Sequence, residues 1–225
     1  MSEDKIVNWY SKVQNKGAKR DKNFSNHKIE PCSMIALIGQ SGAGKSTALV
    51  EFISRTPEKF YEIHLFSGSG SATTEPLYVM LKQRIPEMQT YDNIADFPEL
   101  ESFEDKNIER LMIFDDWLQL GKKGLDKLAK YATCGRKSGC TCIFQSQNYT
   151  SIPKVISRNI HYFWIFRIND ARSIETICKN HSTGLSIQEM KDLHKHITSE
   201  PRSFLHIDMR GNNLRKNFTN IIEKQ

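Results

Sequence analysis

The chain has 225 residues, 38% of them hydrophobic, which is enough for one substantial core and suits one α/β domain with short extensions better than two full domains. A formal charge of +6 permits contact with a polyanion without proving it. No apolar run approaches a membrane span and no signal-peptide core opens the chain. Five cysteines without a CxxC pair fit reduced thiols better than a metal cluster, so a soluble, intracellular protein is expected.

Residues 1–30 carry seven bases and four acids. Ile6, Trp9, Tyr10 and Val13 recur at helical spacing and predict a short amphipathic helix, followed by a polar linker over Asn15–His27. Ser33–Ile38 reads as a buried strand and Lys45–Arg55 as a helix. Tyr61–Phe66 is a second strand, ended by Ser67-Gly68-Ser69-Gly70, and Pro76–Arg84 looks helical. Residues 86–109 hold eight acids against one base, which reads as a solvated acidic loop or as a surface turned away from a polyanion. Leu111–Phe114 is a buried strand, Leu125–Lys137 a helix, and Thr141–Gln145 and Tyr162–Arg167 two more strands. Ala171–Asn180 and Ile187–His196 look helical, and Ser203–Asp208 with Leu214–Phe218 predicts a closing hairpin around Gly211-Asn212-Asn213. Apolar strands alternating with helices predict a mostly parallel central sheet with helices on both faces and a C-terminal β-hairpin.

The strongest chemical signal is the run Gly39-Gln40-Ser41-Gly42-Ala43-Gly44-Lys45-Ser46-Thr47, set between the first strand and the first long helix. This is the phosphate-binding loop G-x-x-x-x-G-K-[ST] in its strand–loop–helix setting. Its glycines let backbone N–H groups turn toward phosphate oxygens, and the helix start adds partial positive charge there. Lys45 reaches the β- and γ-phosphates and Ser46 offers a hydroxyl to magnesium. Leu111-Met112-Ile113-Phe114-Asp115-Asp116 supplies the second half, a Walker B element whose carboxylates emerge at the ligand-binding end of a strand. Asp115 is placed to hold magnesium with Ser46, and Asp116 to orient or deprotonate the attacking water. The strand ending in Gln145-Ser146-Gln147-Asn148 puts amides where a γ-phosphate sensor would sit, with Gln147 preferred.

With these residues in view, the chain resembles the viral genome-packaging ATPases of the FtsK–HerA class over residues 33–218. The carriers are Gly39–Thr47, Ile113–Asp116, and the block Gly135-Arg136-Lys137-Ser138-Gly139 through Ser146-Gln147 to Pro153, with Asp170-Ala171-Arg172-Ser173 and the segments Ser203–Asp208 and Arg215–Phe218 in support. The resemblance implies a P-loop NTPase fold of RecA/FtsK–HerA-like type and a ring, hexamer or pentamer, around double-stranded DNA. It implies hydrolysis of ATP with Mg2+ at subunit interfaces, in the host cytoplasm or the virion. It makes Gln147 the sensor and Arg136 the arginine finger given to the neighbour's γ-phosphate, with Arg158, Arg167 and Arg172 as rivals. The composition and spacing of the first residues divide the chain into a basic N-terminal helix or arm, 1–30, which either packs on the body of its own domain or docks on a partner subunit or capsid component, and an ATPase domain, 31–225. Asp116 and Ser146 depart from the glutamate and threonine usual at their positions. Lys122, Lys123, Lys127 and Lys130, or the loop Ser67–Ser71, are candidate contacts to DNA phosphates. Two other readings remain: a small nucleotide kinase, active as a monomer, and a nucleotide-gated capsid scaffold that does not hydrolyse.

Overall fold

The computed structural model describes residues 21–105 and 108–223. Among them, nine strands form one sheet. In chain order these are β1 (Met34–Ile38), β2 (Glu62–Ser67), β3 (Gln89–Tyr91), β4 (Arg110–Asp115), β5 (Cys140–Ser146), β6 (Tyr162–Ile165), β7 (Leu205–Asp208), β8 (Asn213–Lys216) and β9 (Asn220–Ile222). Their order across the sheet is β3-β2-β4-β5-β1-β6-β7-β8-β9. Pairings from β3 to β6 are parallel, and those from β6 to β9 are antiparallel.

Every residue of β1 and β5 is buried, which is why β1 reads as an unbroken apolar run and β5 keeps Ile143 and Phe144 at its centre. Successive side chains point to opposite faces. Ala36, Phe114 and Phe144 therefore enter one core, and Leu37, Ile113 and Ile143 the other. Helices α2 (Lys45–Ser54) and α3 (Pro76–Arg84) cover the second face through Leu49, Phe52, Tyr78 and Leu81. The first face is covered by α4 (Lys122–Cys134), α5 (Lys154–Ser157), α6 (Ala171–Asn180) and α7 (Ile187–Ile197). A capping box, Ser186 with Glu189, fixes the start of α7, and Asp170 caps α6 by accepting from the Arg172 amide.

Three sequence expectations change. The described part of the expected linker, residues 21–27, packs on the body: α1 (Phe24–His27) buries His27, and the Asp21 carboxylate accepts from His27 Nε2 at 2.8 Å and pairs with Lys59 Nζ at 2.9 Å. The expected helix around Ile6, Trp9, Tyr10 and Val13 lies outside the described residues. The acidic segment adds the edge strand β3 and buries Phe97, Leu100 and Phe103; Glu99 pairs with Lys127 Nζ at 2.9 Å and Glu101 with Lys130 at 3.5 Å. Lys127 is 9% exposed and also donates to the carbonyls of Ile94 and Phe97, so it is removed from the candidate DNA contacts. The closing hairpin is extended by a third antiparallel strand, β9.

Candidate nucleotide site

The C-terminal ends of β1, β4 and β5 lie side by side, since β5 sits between the other two. The phosphate loop leaves β1 and is pinned at both flanks: the Gly39 amide donates to the Ser146 carbonyl at 3.0 Å and the Gln40 amide to the Arg167 carbonyl at 3.1 Å. A Cβ on Gly39 would stand 2.6 Å from the Phe166 Cβ, and Gly44 adopts φ 106, so both positions need glycine. Lys45 Nζ donates to the carbonyls of Gly39 at 2.7 Å and Gln40 at 3.2 Å, curled over the loop that it would leave for phosphate oxygens.

Asp115 ends β4 and Asp116 follows at φ 48. A non-glycine residue in this left-handed region carries strain, which neighbours must hold in place. Gly68, after β2, is the neighbour that permits it: a Cβ there would lie 2.3 Å from the Asp116 carbonyl oxygen. Behind the carboxylates, Trp117 is fully buried and donates to the Gln145 carbonyl at 2.8 Å, tying the end of β4 to the end of β5. Ser146 Oγ donates to the Asn148 carbonyl at 2.7 Å, and the Tyr149 amide donates to Ser173 Oγ at 2.9 Å. Ser173 Oγ in turn donates to Asp170 Oδ2 at 2.9 Å. This chain of bonds holds the turn that presents the exposed Gln147.

These residues enclose a cleft of about 400 Å³ lined by Ser41, Gly42, Gly44, Lys45, Ser46 and Thr47 from the loop and helix, Asp115 and Asp116 from β4, and Gln145, Ser146 and Gln147 from β5. Burial pulls the Lys45 ammonium below its ordinary pKa, while Asp115 and Asp116 oppose the shift. Burial pushes the Asp115 carboxyl above its ordinary value and Asp116 adds repulsion, while a hydrogen bond from Tyr78 and the charge of Lys45 oppose it. The donors fit magnesium, a hard cation that prefers oxygen and keeps waters: the Asp115 carboxylate and the Ser46 hydroxyl line the same space. Among the described residues no group of three or more His, Cys, Asp or Glu could hold a metal by itself, so a cation here would need ligand phosphates.

Arg136 stands apart. It is exposed in the 3-10 turn Gly135–Ser138, at the N-terminal end of β5. The seven residues of β5 separate it from Gln147 by roughly 20 Å at about 3.3 Å per residue. Its charge is felt instead by His161 and Cys32, just ahead of the N-terminal ends of β6 and β1.

Three lining residues were not anticipated from sequence, Glu75, Leu77 and Arg202, nor was Tyr78, which contacts Asp115 from behind. Arg202, at φ 64, lays its Cα, Cβ and Cγ 3.2–3.3 Å from where a Gly44 Cβ would be. No local motif marks it; it arrives from the loop after α7.

Among solved structures the chain is similar to B204, the DNA-packaging ATPase from Sulfolobus turreted icosahedral virus. The two are 17% identical over 84% of this chain and 98% of that one, with a TM-score of 0.59. The genome-packaging NTPase B204 from Sulfolobus turreted icosahedral virus 2, in complex with ATP-gammaS, is 14% identical over 84% of this chain and 98% of that one, with a TM-score of 0.57. EssC (ATPases 2 and 3) from Geobacillus thermodenitrificans is 15% identical, covering 65% of this chain and 34% of that one, at a TM-score of 0.50. At these identities the likeness shows a shared fold, that of the P-loop ATPases, as expected from the sequence. No curated protein matches the chain. The family model described as "Poxvirus A32 protein" matches residues 21–200, from the buried Asp21 to the last helix before β7. The chain belongs to the poxvirus A32 protein family.

Proposed function

We propose that this protein is an ATP-driven motor that moves double-stranded viral DNA into a preformed capsid, working as a ring of identical subunits, a hexamer or pentamer. The observation that carries the reading is the meeting of the phosphate loop, the Asp115–Asp116 pair and Gln147 in one cleft, while Arg136 faces the far end of the sheet. Similarity to packaging ATPases, one of them bound to ATP-gammaS, supports it.

In this mechanism the amides of Gly39–Thr47 cradle the phosphates, and Lys45 exchanges its bonds to the Gly39 and Gln40 carbonyls for β- and γ-oxygens. Ser46 and Asp115 would hold Mg2+, which would supply positive charge against that of the phosphates. Asp116 accepts a proton from the attacking water and Gln147 orients that water. Arg136 of the adjoining subunit supplies positive charge to the transferring phosphoryl group, because a subunit's own Arg136 lies too far from its own Gln147. Hydrolysis is thereby coupled to assembly. DNA is gripped through phosphates, by Lys122, Lys123 or Lys130, or by the loop Ser67–Ser71, whose last residue lines the cleft. The basic stretch that precedes Asp21 is an arm for a neighbouring subunit or capsid component, at the assembly site in the host cytoplasm, while residues 21–30 anchor it to the body.

ATPase rates with and without duplex DNA test the reading. A motor of this kind is stimulated by DNA at low salt, and the stimulation weakens as salt rises. A rate indifferent to DNA at low salt and at every protein concentration would overturn it.

A further inference from the structure

Tyr78 is fully buried on α3, yet it carries the one polar group of its side chain into the back wall of the cleft. Its hydroxyl donates to Asp115 Oδ2 at 2.6 Å and accepts from Gln145 Nε2 at 2.8 Å. A phenol has a single proton. With the amide of Gln145 occupying the acceptor side, that proton is committed to Asp115. The backbone of Gln145 is held by Trp117 Nε1, which donates to its carbonyl at 2.8 Å. The other oxygen of Asp115, Oδ1, accepts from the Asp116 amide at 3.0 Å. The carboxylate is thus clamped on both oxygens, one from the sheet and one from a helix distant in sequence. Its remaining lone pairs are left for the cleft that Ser46 also lines.

We propose that Tyr78 is a positioning residue for the divalent cation, its hydroxyl holding the Asp115 carboxylate in the rotamer that meets the cation's waters, with Gln145 setting the direction of the bond. The proposal rests on the reading of the cleft as a site for a nucleoside triphosphate with its cation. Outer partners that orient a ligating group typically change metal affinity by about 10–100-fold when removed. A tyrosine buried for packing alone would lose nothing of this kind on conversion to phenylalanine, because the ring is kept.

The test is the Mg2+ concentration at half-saturation for binding of a fluorescent ATP analogue, measured on wild type, Tyr78→Phe and Gln145→Met, with an EDTA arm and thermal melting in parallel. Tyr78→Phe is expected to match wild type in EDTA and to need about 10–100-fold more Mg2+ for half-saturation. Gln145→Met, which leaves the phenol but releases its proton to turn, is expected to shift the same way by less, and it carries the test if Tyr78→Phe fails to fold. Half-saturation unchanged in the folded variants would overturn the role of Tyr78 alone. Nucleotide binding indifferent to Mg2+ in wild type would overturn both this role and the cation site in the proposed function.

Discussion

Asp116 sits at φ 48, held by the close approach of its carbonyl to Gly68. Its backbone strain aims a carboxylate at the space that Gln147 also lines. Asn tolerates the left-handed region, so Asp116→Asn should fold and bind ATP with near-wild-type affinity while hydrolysis falls by about 100-fold or more. Equilibrium nucleotide binding beside steady-state turnover checks this; an active Asp116→Asn motor, packaging DNA as before, would favour a nucleotide-gated scaffold. Gly68→Ala makes the complementary change. A methyl group 2.3 Å from a backbone oxygen forces the two segments apart, so a loss of roughly 1–3 kcal/mol in urea unfolding is expected, with reduced turnover. Arg202 lies over Gly44 in the cleft. Arg202→Ala should raise the Kd for ATP by about 10-fold or more, measured by calorimetry, since each charge-assisted bond to phosphate contributes about 1.5–3 kcal/mol and each 1.4 kcal/mol is about tenfold. At this scale Gly39–Thr47 and Asp115–Asp116 were legible because each works as a contiguous run with local backbone demands. Tyr78 and Arg202 were not, because their roles come from segments brought together only by the folded sheet.

Strands and helices were legible where apolar periodicity is strong. Pro76–Arg84 and Ala171–Asn180 match α3 and α6 end to end, since Pro at N1 and an Asp cap mark their starts. The short elements α1, β3, α5 and β9 carry too few residues to show a period, and tertiary contacts fix them. Lys127 shows how a charge pattern misleads: three of the four lysines in that stretch face solvent, and this one is drawn under the acidic segment by Glu99 and two carbonyls. In the terminal hairpin, Asp208 accepts from the Arg210 and Gly211 amides and pairs with Arg215 at 3.0 Å, both side chains under 10% exposed. Removing one partner strands a buried charge. Asp208→Ala should therefore cost about 3–5 kcal/mol in urea unfolding, whereas a loss under about 1 kcal/mol would show the pair to be peripheral.

Over the whole molecule, buried histidines tie stability to pH. Burial, with positive neighbours, holds His27 and His161 at about 4 and His206 at about 3. Lys59 and Arg55 oppose the protonation of His27 while Asp21 favours it. Arg210 and Arg136 oppose that of His161, and Arg215 opposes while Asp208 favours that of His206. In the unfolded chain these rings protonate near pH 6.5. The unfolded state thus binds more protons between about pH 6.5 and 4, so their contribution is whole above that window and declines as pH falls through it. The urea midpoint should be lower at pH 5 than at pH 7; equal midpoints would place these rings in water.

At the same scale, the cleft gathers the phosphate loop, Asp115, Asp116 and Gln147, while Arg136 lies at the opposite end of the sheet. In the proposed ring, complete sites form only at head-to-tail seams between subunits. The direct measurement is ATP turnover in a mixture of Lys45→Ala and Arg136→Ala chains, each inactive alone. Mixing in equal amounts should restore about a quarter of wild-type turnover, because about one seam in four joins an intact phosphate loop to an intact arginine. No recovery in mixed rings, or full turnover by wild-type chains that stay monomeric, would contradict a shared site.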